Sequence, residues 1–417
     1  MEYVVKRNKT VVPFNQEKIV NAVLKAMNTI NDNEKENKPL AIKIKNRVLK
    51  KLKTWDVDRP HVDQIHTLVE NSLMDAKFYD VAREYITYRD ANKPDIFRHR
   101  TEIKPYEYPN LAEYVDAIRG SYWTHTEFNF TGDVQDIKVN MSEKETNAAI
   151  RSMLAISQIE NAVKKFWGTI DSKLPKPEIS KVGSTFAESE VRHEDAYSQL
   201  LERLKLNDEF KTLSDVPCIA KRIKYLNKVN KNMKATDNRD FFETIILFSM
   251  FVENVSLFSQ FFVLMAFNKY ENRLKGISNA VEATSKEEIL HANFGFDLIK
   301  IIKEENPDWF DDDLIEYIKK ISYEAFEAEK EIIDWIFEYG DFPYLQKDTV
   351  IEYTKKRMND SLKSIGLDDI FGVNEDAYDQ FEWFEDELYG TGLVDFFYKR
   401  SIQYNKFTQS TTASDLF

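Results

Sequence analysis

Two stretches of the chain place a glutamate three residues before a histidine: Glu190-Val-Arg-His193 and Glu288-Ile-Leu-His291. On a helix that spacing sets both side chains on one face, where a carboxylate oxygen and an imidazole nitrogen can reach the same cation. The first pair lies on a longer stripe, Phe186, Glu190, His193, Tyr197, Leu200 and Leu204, at steps of three and four, which should face the protein interior. A carboxylate, an imidazole and a phenol would then enter the core together. Burying an ionised carboxylate costs several kcal/mol unless something positive compensates it. A divalent metal ion does so.

Two further acids sit where acids are out of place. Glu160 shares a stripe with Met153, Ile156, Val163 and Trp167, and Glu253 is the sole charged residue between Ile245 and Phe267. In chain order, then, one helix offers Glu160, the next Glu190 and His193, the next Glu253, and the last Glu288 and His291. A capped acid, a buried salt bridge or a satisfied core histidine explains each singly, but not all four helices in this order. Two helices giving one glutamate and two giving Glu-x-x-His is the di-metal arrangement of ferritin-like four-helix bundles. Carboxylates and imidazoles without a thiolate suit iron or manganese over zinc. The metal-free protein should be looser, or should carry protonated acids. Asp63-Gln-Ile-His66 has the same spacing but reads as a surface feature of the N-terminal region.

The elements that must position these residues are mostly helices. In 417 residues there are only 11 glycines and 11 prolines, and helix-forming runs dominate. The length favours two domains. A formal net charge of −13 disfavours nucleic acid as a partner. The single cysteine, Cys218, excludes an intrachain disulfide framework and suits a reducing, cytoplasmic setting. The apolar run from Ile245 to Phe267 is long enough to span a bilayer, yet Ser249, Asn254, Ser256, Ser259 and Gln260 interrupt it. It reads as a buried helix, with no membrane involved.

Along the chain, residues 3–14 predict a hairpin with strand-like ends Tyr3-Val4-Val5 and Val11-Val12 around a basic turn. Helices follow from near Asn15, from Pro39 to Leu52, and from Pro60 to Arg89. Pro94, Pro105 and Pro109 mark a linker over 96–110. Beyond it the chain reads as helical over 111–398, with breaks at Gly168–Gly183 and Asn227–Asn238, and a polar tail over 399–417.

Val5-Lys6-Arg7 before the hairpin turn, Phe14-Asn15-x-x-Lys18-Ile19 opening a helix, and Tyr85-Ile-Thr-Tyr88-Arg89 closing the unit together resemble the ATP-cone, a regulatory module of ribonucleotide reductases. The resemblance covers residues 1–95 and implies a site for ATP or dATP as allosteric effectors, with Lys6, Arg7, Lys18 and Arg89 as phosphate contacts. The turn departs from the usual Asp-Gly by carrying Asn8-Lys9.

The ligand pattern, Tyr197 one turn beyond His193, Tyr122-Trp123 ahead of the first ligand helix, and Asp395-Phe-Phe-Tyr-Lys-Arg-Ser-Ile-Gln-Tyr404 before the tail are similar to the radical-generating small subunit of class I ribonucleotide reductase. That resemblance implies metal ligands Glu160, Glu190, His193, Glu253, Glu288 and His291, a radical tyrosine at Tyr197, and an electron route by way of Glu287, Trp123 and Tyr404. It further implies a homodimer, a separate large catalytic subunit docked through the C-terminus, and larger assemblies induced by dATP. Glu160 and Glu287 stand where aspartates are usual, and the altered first ligand favours manganese while leaving iron open. Two other readings of the bundle remain: an oxygen-activating di-metal oxidase with a bound organic substrate, and ferritin-like metal storage. Neither would use a nucleotide module.

Overall fold

The structure is a computed structural model describing residues 2–6, 11–55, 57–91, 93–232 and 237–390; the side chains of 91, 160–164 and 228–232 lie outside that description. The chain divides into two units, Met1–Asp95 and Ile96–Phe417.

In the first unit the paired valines form the expected hairpin. Strand β1 (Tyr3–Val5) runs antiparallel to β2 (Val11–Pro13), with Val4 opposite Val12. Four helices follow: α1 (Glu17–Ile30), α2 (Glu34–Leu52), α3 (Val62–Asp75) and α4 (Tyr79–Ala91). Their buried faces, including Val20, Val23, Ile44, Val48, Val69 and Leu73, make a core separate from that of the second unit. Helix α2 begins five residues before Pro39, where the sequence places its start, and carries that proline near its first turn. The start of α3 is fixed by a capping box, in which the His61 ring accepts from the Asp63 amide and the Gln64 side chain accepts from the His61 amide. His66 is half-buried, with Nδ1 2.8 Å from the buried Tyr85 hydroxyl.

The regular elements of the second unit, among its described residues, are helices, chiefly α5 (Glu113–Gly120), α6 (Thr131–Gln135), α7 (Glu143–Gly168), α8 (Pro177–Leu204), α9 (Asn207–Lys211), α10 (Pro217–Asn232), α11 (Asn238–Leu247), α12 (Phe258–Glu271), α13 (Lys275–Glu305), α14 (Asp312–Ile336), α15 (Lys347–Ser364) and α16 (Tyr378–Tyr389). Within the stretch expected as a linker, Ile96 and Tyr108 are buried in this core, and Glu178 accepts from the amides of Glu107 and Tyr108.

Four helical segments frame the site: α7, α8, the apolar run containing α11 and α12, and α13. Helix α7 starts at a Ser142–Glu145 capping box and packs along α8. Helix α8 starts at Pro177, within the stretch expected as a loop to Gly183, because proline suits a first helical position. Gly183 is a helix residue that lets α8 pass close to α7; a Cβ there would lie 2.6 Å from the Trp167 carbonyl oxygen. Helix α10 likewise runs past Asn227 to Asn232.

The apolar run is the one described stretch long and apolar enough to cross a membrane, and its most apolar window is 94% buried inside the protein. It is not one regular helix. Between α11 and α12 lies a π-helical segment, Phe248–Glu253, which ends on the acid of interest. Such wide turns are rare and concentrate at functional sites. This one packs on α13, where Gly295 makes room: a Cβ there would fall 2.0 Å from Ser249 Oγ.

Candidate metal centre

The α8 stripe predicted to face inward does so: Phe186, Glu190, His193, Tyr197, Leu200 and Leu204 are all buried. So are Glu288 and His291 on α13 and Glu253 at the end of the π segment. Rings surround them. Phe186 lies 4.2 Å from the His291 ring and 5.2 Å from Trp167, and Phe294 packs edge-on against Phe186. This apolar shell excludes water and makes uncompensated charge costly inside it.

Within the shell the acids divide their oxygens between the two imidazoles. Glu190 places Oε1 2.9 Å from Nδ1 of His291 and Oε2 3.3 Å from Nδ1 of His193. Glu288 does the same, with Oε2 3.2 Å from His291 and Oε1 3.1 Å from His193. Glu253 belongs to the His291 side, at 3.6 Å, and its other oxygen accepts from the Trp167 indole at 2.7 Å. Donor atoms of Glu190, Glu253, Glu288 and His291 all fall within 4.8 Å of one another, a group that could hold a metal ion. Glu160 lies on α7, and its side chain is outside the described residues.

The outer nitrogens of the two rings show which way the inner ones are turned. The Ser189 hydroxyl donates to the Phe186 carbonyl at 2.8 Å, so toward His291 Nε2, at 3.0 Å, it accepts. His193 Nε2 lies 2.8 Å from Glu287 Oε2, which accepts only. Both rings are thereby assigned a proton on Nε2, and each Nδ1 faces carboxylates with a lone pair in the neutral form. Lone pair against carboxylate is repulsive unless a cation lies between them. Both oxygens of Glu190, Oε2 of Glu253 and Oε1 of Glu288 are buried without a hydrogen bond among the described residues. These donors fit divalent metal, and the held outer nitrogens are the usual second layer of a histidine metal site.

Without metal, protons must substitute. Burial, reinforced by the charge of Glu288, pushes the Glu253 carboxyl well above the usual range. Burial would also raise Glu288, but the close approach of His193 and the charge of His291 hold it below its ordinary value. Burial would lower His291, yet the Glu190 carboxylate beside it raises it well above the ordinary imidazole range.

Of the other predicted site residues, Tyr197 is buried one turn past His193 and Trp123 is buried with its ring stacked on His193, 5.6 Å between centroids and 11° from parallel. Glu287 is fully buried and bonds His193, Arg192 and Ser121; no hydrogen bond joins it to the Trp123 indole. Lys6 and Lys18 are exposed. Arg89 is paired with Glu70 at 2.5 Å. Arg7 and Tyr404 lie outside the described residues. Sequence reasoning missed Ser189, Trp167, Arg192 and Ser121 as partners of the ligands. Ser189 and Arg192 flank ligands on α8, but adjacency gives no sign of which side chains turn inward.

A family profile described as ribonucleotide reductase, small chain, matches residues 100–378, and one for the ATP cone domain matches residues 2–94. The chain is 24% identical over 330 residues to the probable ribonucleoside-diphosphate reductase small subunit of Invertebrate iridescent virus 3, spanning 74% of this chain and 85% of that one. Over 96 residues it is 42% identical to a vitamin B12-dependent ribonucleoside-diphosphate reductase of Thermoplasma acidophilum, which is 22% of this chain and 12% of that one. The ribonucleotide reductase R2 subunit from Clostridium botulinum shares the fold, with a TM-score of 0.61 at 17% identity over 68% of this chain and 89% of that one. Since the small-chain profile takes in more than half of the sequence, this chain belongs to the ribonucleotide reductase small-chain family and carries an N-terminal ATP-cone.

Proposed function

We propose that this chain stores a one-electron oxidant in its bundle and delivers it to a separate large subunit, where ribonucleotides are reduced. The observation that carries the reading is the division of Glu190 and Glu288 between His193 and His291, with the outer ring nitrogens already committed. Two positions for cations follow, one on each imidazole, with Glu253 completing the His291 side and Glu160 assigned to the His193 side. A redox-active iron or manganese pair held there would supply, with oxygen or a reduced oxygen species, the oxidising equivalent that the subunit keeps.

The chain's own residues hold and shield that equivalent. Ser189 and Glu287 orient the two rings, while Phe186, Trp167 and Phe294 keep water away. Tyr197 is the assigned radical tyrosine. Trp123, against the face of His193, is the assigned first step outward, and Tyr404 the last on this chain. Subunits pair as a homodimer in this reading, and the C-terminal tail docks on the large subunit. The cone binds ATP or dATP through Lys6, Arg7 and Lys18, and dATP favours an inactive, larger assembly. Arg89, ion-paired with Glu70, is the further contact of that set.

Metal analysis and electron paramagnetic resonance after aerobic reconstitution test the core of this reading. Two iron or manganese ions per chain are expected, with an oxidised signal that persists through turnover with a large subunit and is lost, together with that activity, on treatment with a one-electron reductant; a chain that takes up neither metal removes the reading. Sizing chromatography with ATP and with dATP tests the cone, and an unchanged mass with dATP removes that part.

A further inference from the structure

Arg192 precedes a ligand in the sequence and is 5% exposed in the fold, an unusual place for a guanidinium. It is held from several sides. Inward, Nη2 donates to Glu287 Oε1 and Nη1 to the main-chain carbonyl of Trp123, each at 3.1 Å. Outward, Nε donates to Glu188 Oε2 at 3.0 Å, and the guanidinium carbon lies 4.6 Å from the centre of the Tyr122 ring and 5.4 Å from that of Trp123. Tyr122 and Glu188 both line a surface groove of about 660 Å³, so the cluster runs from the surface to the ring of a ligand.

The Trp123 indole nitrogen, though buried, has no hydrogen-bond partner among the described residues. Both oxygens of Glu287 are committed, Oε2 to His193 and Oε1 to Arg192 and Ser121. Among the described residues, then, the hydrogen bonds that join Glu287 to Trp123 run through Arg192, and the other link is the stacking of Trp123 on His193.

We propose that Arg192 is a positioning residue for the His193 half of the metal centre. Its planar fork fixes Glu287, which orients His193, and the same fork fixes the backbone of Trp123 so that the indole lies flat on that ring. A rigid guanidinium makes both bonds at once, whereas an ammonium is a single point charge on a flexible stem. The ring of the other half has its own orienting partner, Ser189 on His291, which Arg192 does not touch. Loss of Arg192 should then weaken one cation position and spare the other, which general loosening of the bundle would not do.

The proposal rests on the two-ion reading above, and the experiment separates them. Full-length wild-type, Arg192→Met and Arg192→Lys chains are titrated with Mn²⁺, following the paramagnetic resonance signal of the free ion. The wild-type chain is expected to take up two ions. The methionine variant should keep one at unchanged affinity and bind the other roughly 10–100-fold more weakly. The lysine variant, which keeps the charge, should show the same selective loss in milder form. Two ions at wild-type affinity in a folded methionine variant, or equal weakening of both, overturns the proposal. If that variant does not fold, the lysine variant carries the test with the same outcomes. A wild-type chain that binds no Mn²⁺ removes the two-ion reading and this proposal with it.

Discussion

Arg222 and Glu329 lie fully buried in the same unit as the Glu190–Glu253–Glu288 cluster, and the two groups of charges are treated in opposite ways. Arg222 donates Nε and Nη2 to the two oxygens of Glu329, Nη1 to the Ala155 carbonyl, and Nη2 again to the Ser256 carbonyl and Gln260. One cation meets one carboxylate, and the remaining N–H groups find acceptors. The histidine cluster has acceptors in excess and its outer donors already spent. A buried network that closes on itself is a structural support; one left open by several carboxylate oxygens requires a guest.

The largest effect should come from breaking the closed network. Arg222→Met leaves Glu329 buried without its partner and is expected to cost about 3–5 kcal/mol, whereas adding Glu329→Leu should return most of it. Urea denaturation measures both, and a mild single variant would erase the contrast between the clusters. The open cluster should respond to metal instead. Saturating Mn²⁺ or Fe²⁺ is expected to stabilise the wild-type chain by about 3–4 kcal/mol at 100 to 1,000 times its dissociation constant. Glu190→Ala should abolish that gain, read as a shift in the calorimetric midpoint, since Glu190 serves both imidazoles.

Next in size is the orientation of His291. Ser189→Ala removes the acceptor at Nε2 and should weaken metal binding about tenfold, or about 1.4 kcal/mol. Equilibrium dialysis would show it, and unchanged affinity would mean that the ring is held by packing alone.

The last effect is spread over pH. Glu253 is raised from its ordinary value of 4.5, so the metal-free fold loses stability as pH climbs from there toward the raised value. His291 acts in the same direction: its contribution is full below 6.5 and is lost as pH rises through its raised value. Glu288, lowered from 4.5, contributes fully above that value and loses its contribution only in acid. Metal-free protein should therefore weaken above pH 4.5 by up to about 1.4 kcal/mol per pH unit for each proton released, and metal-loaded protein should not. Urea midpoints across the neutral range with and without metal measure this. Parallel profiles would place the protons elsewhere.

Most of the buried stripe on α8 and both Glu-x-x-His pairs were legible because helical periodicity alone decides which positions share a face. Glu253 was legible as the one acid in an apolar run, although the π segment that carries it was not. No residue type in Phe248–Glu253 marks a wide turn by itself; the segment packs on α13, where Ser249 approaches Gly295 closely. Helix boundaries shifted where one residue was given two possible meanings. Pro177 and Gly183 read as loop residues, but one starts α8 and the other lets it pass Trp167.

Residue type and spacing alone specify a helical protein with a separate N-terminal module, and single out acids and imidazoles that would share a core, since that information is local. The tertiary structure decided what those groups do to one another. Which oxygen faces which ring, which nitrogen is left open, and how Arg192 comes to join Glu287 to Trp123 depend on contacts between distant helices. Such contacts follow from how side chains of particular shape pack together, and no spacing along one helix encodes them.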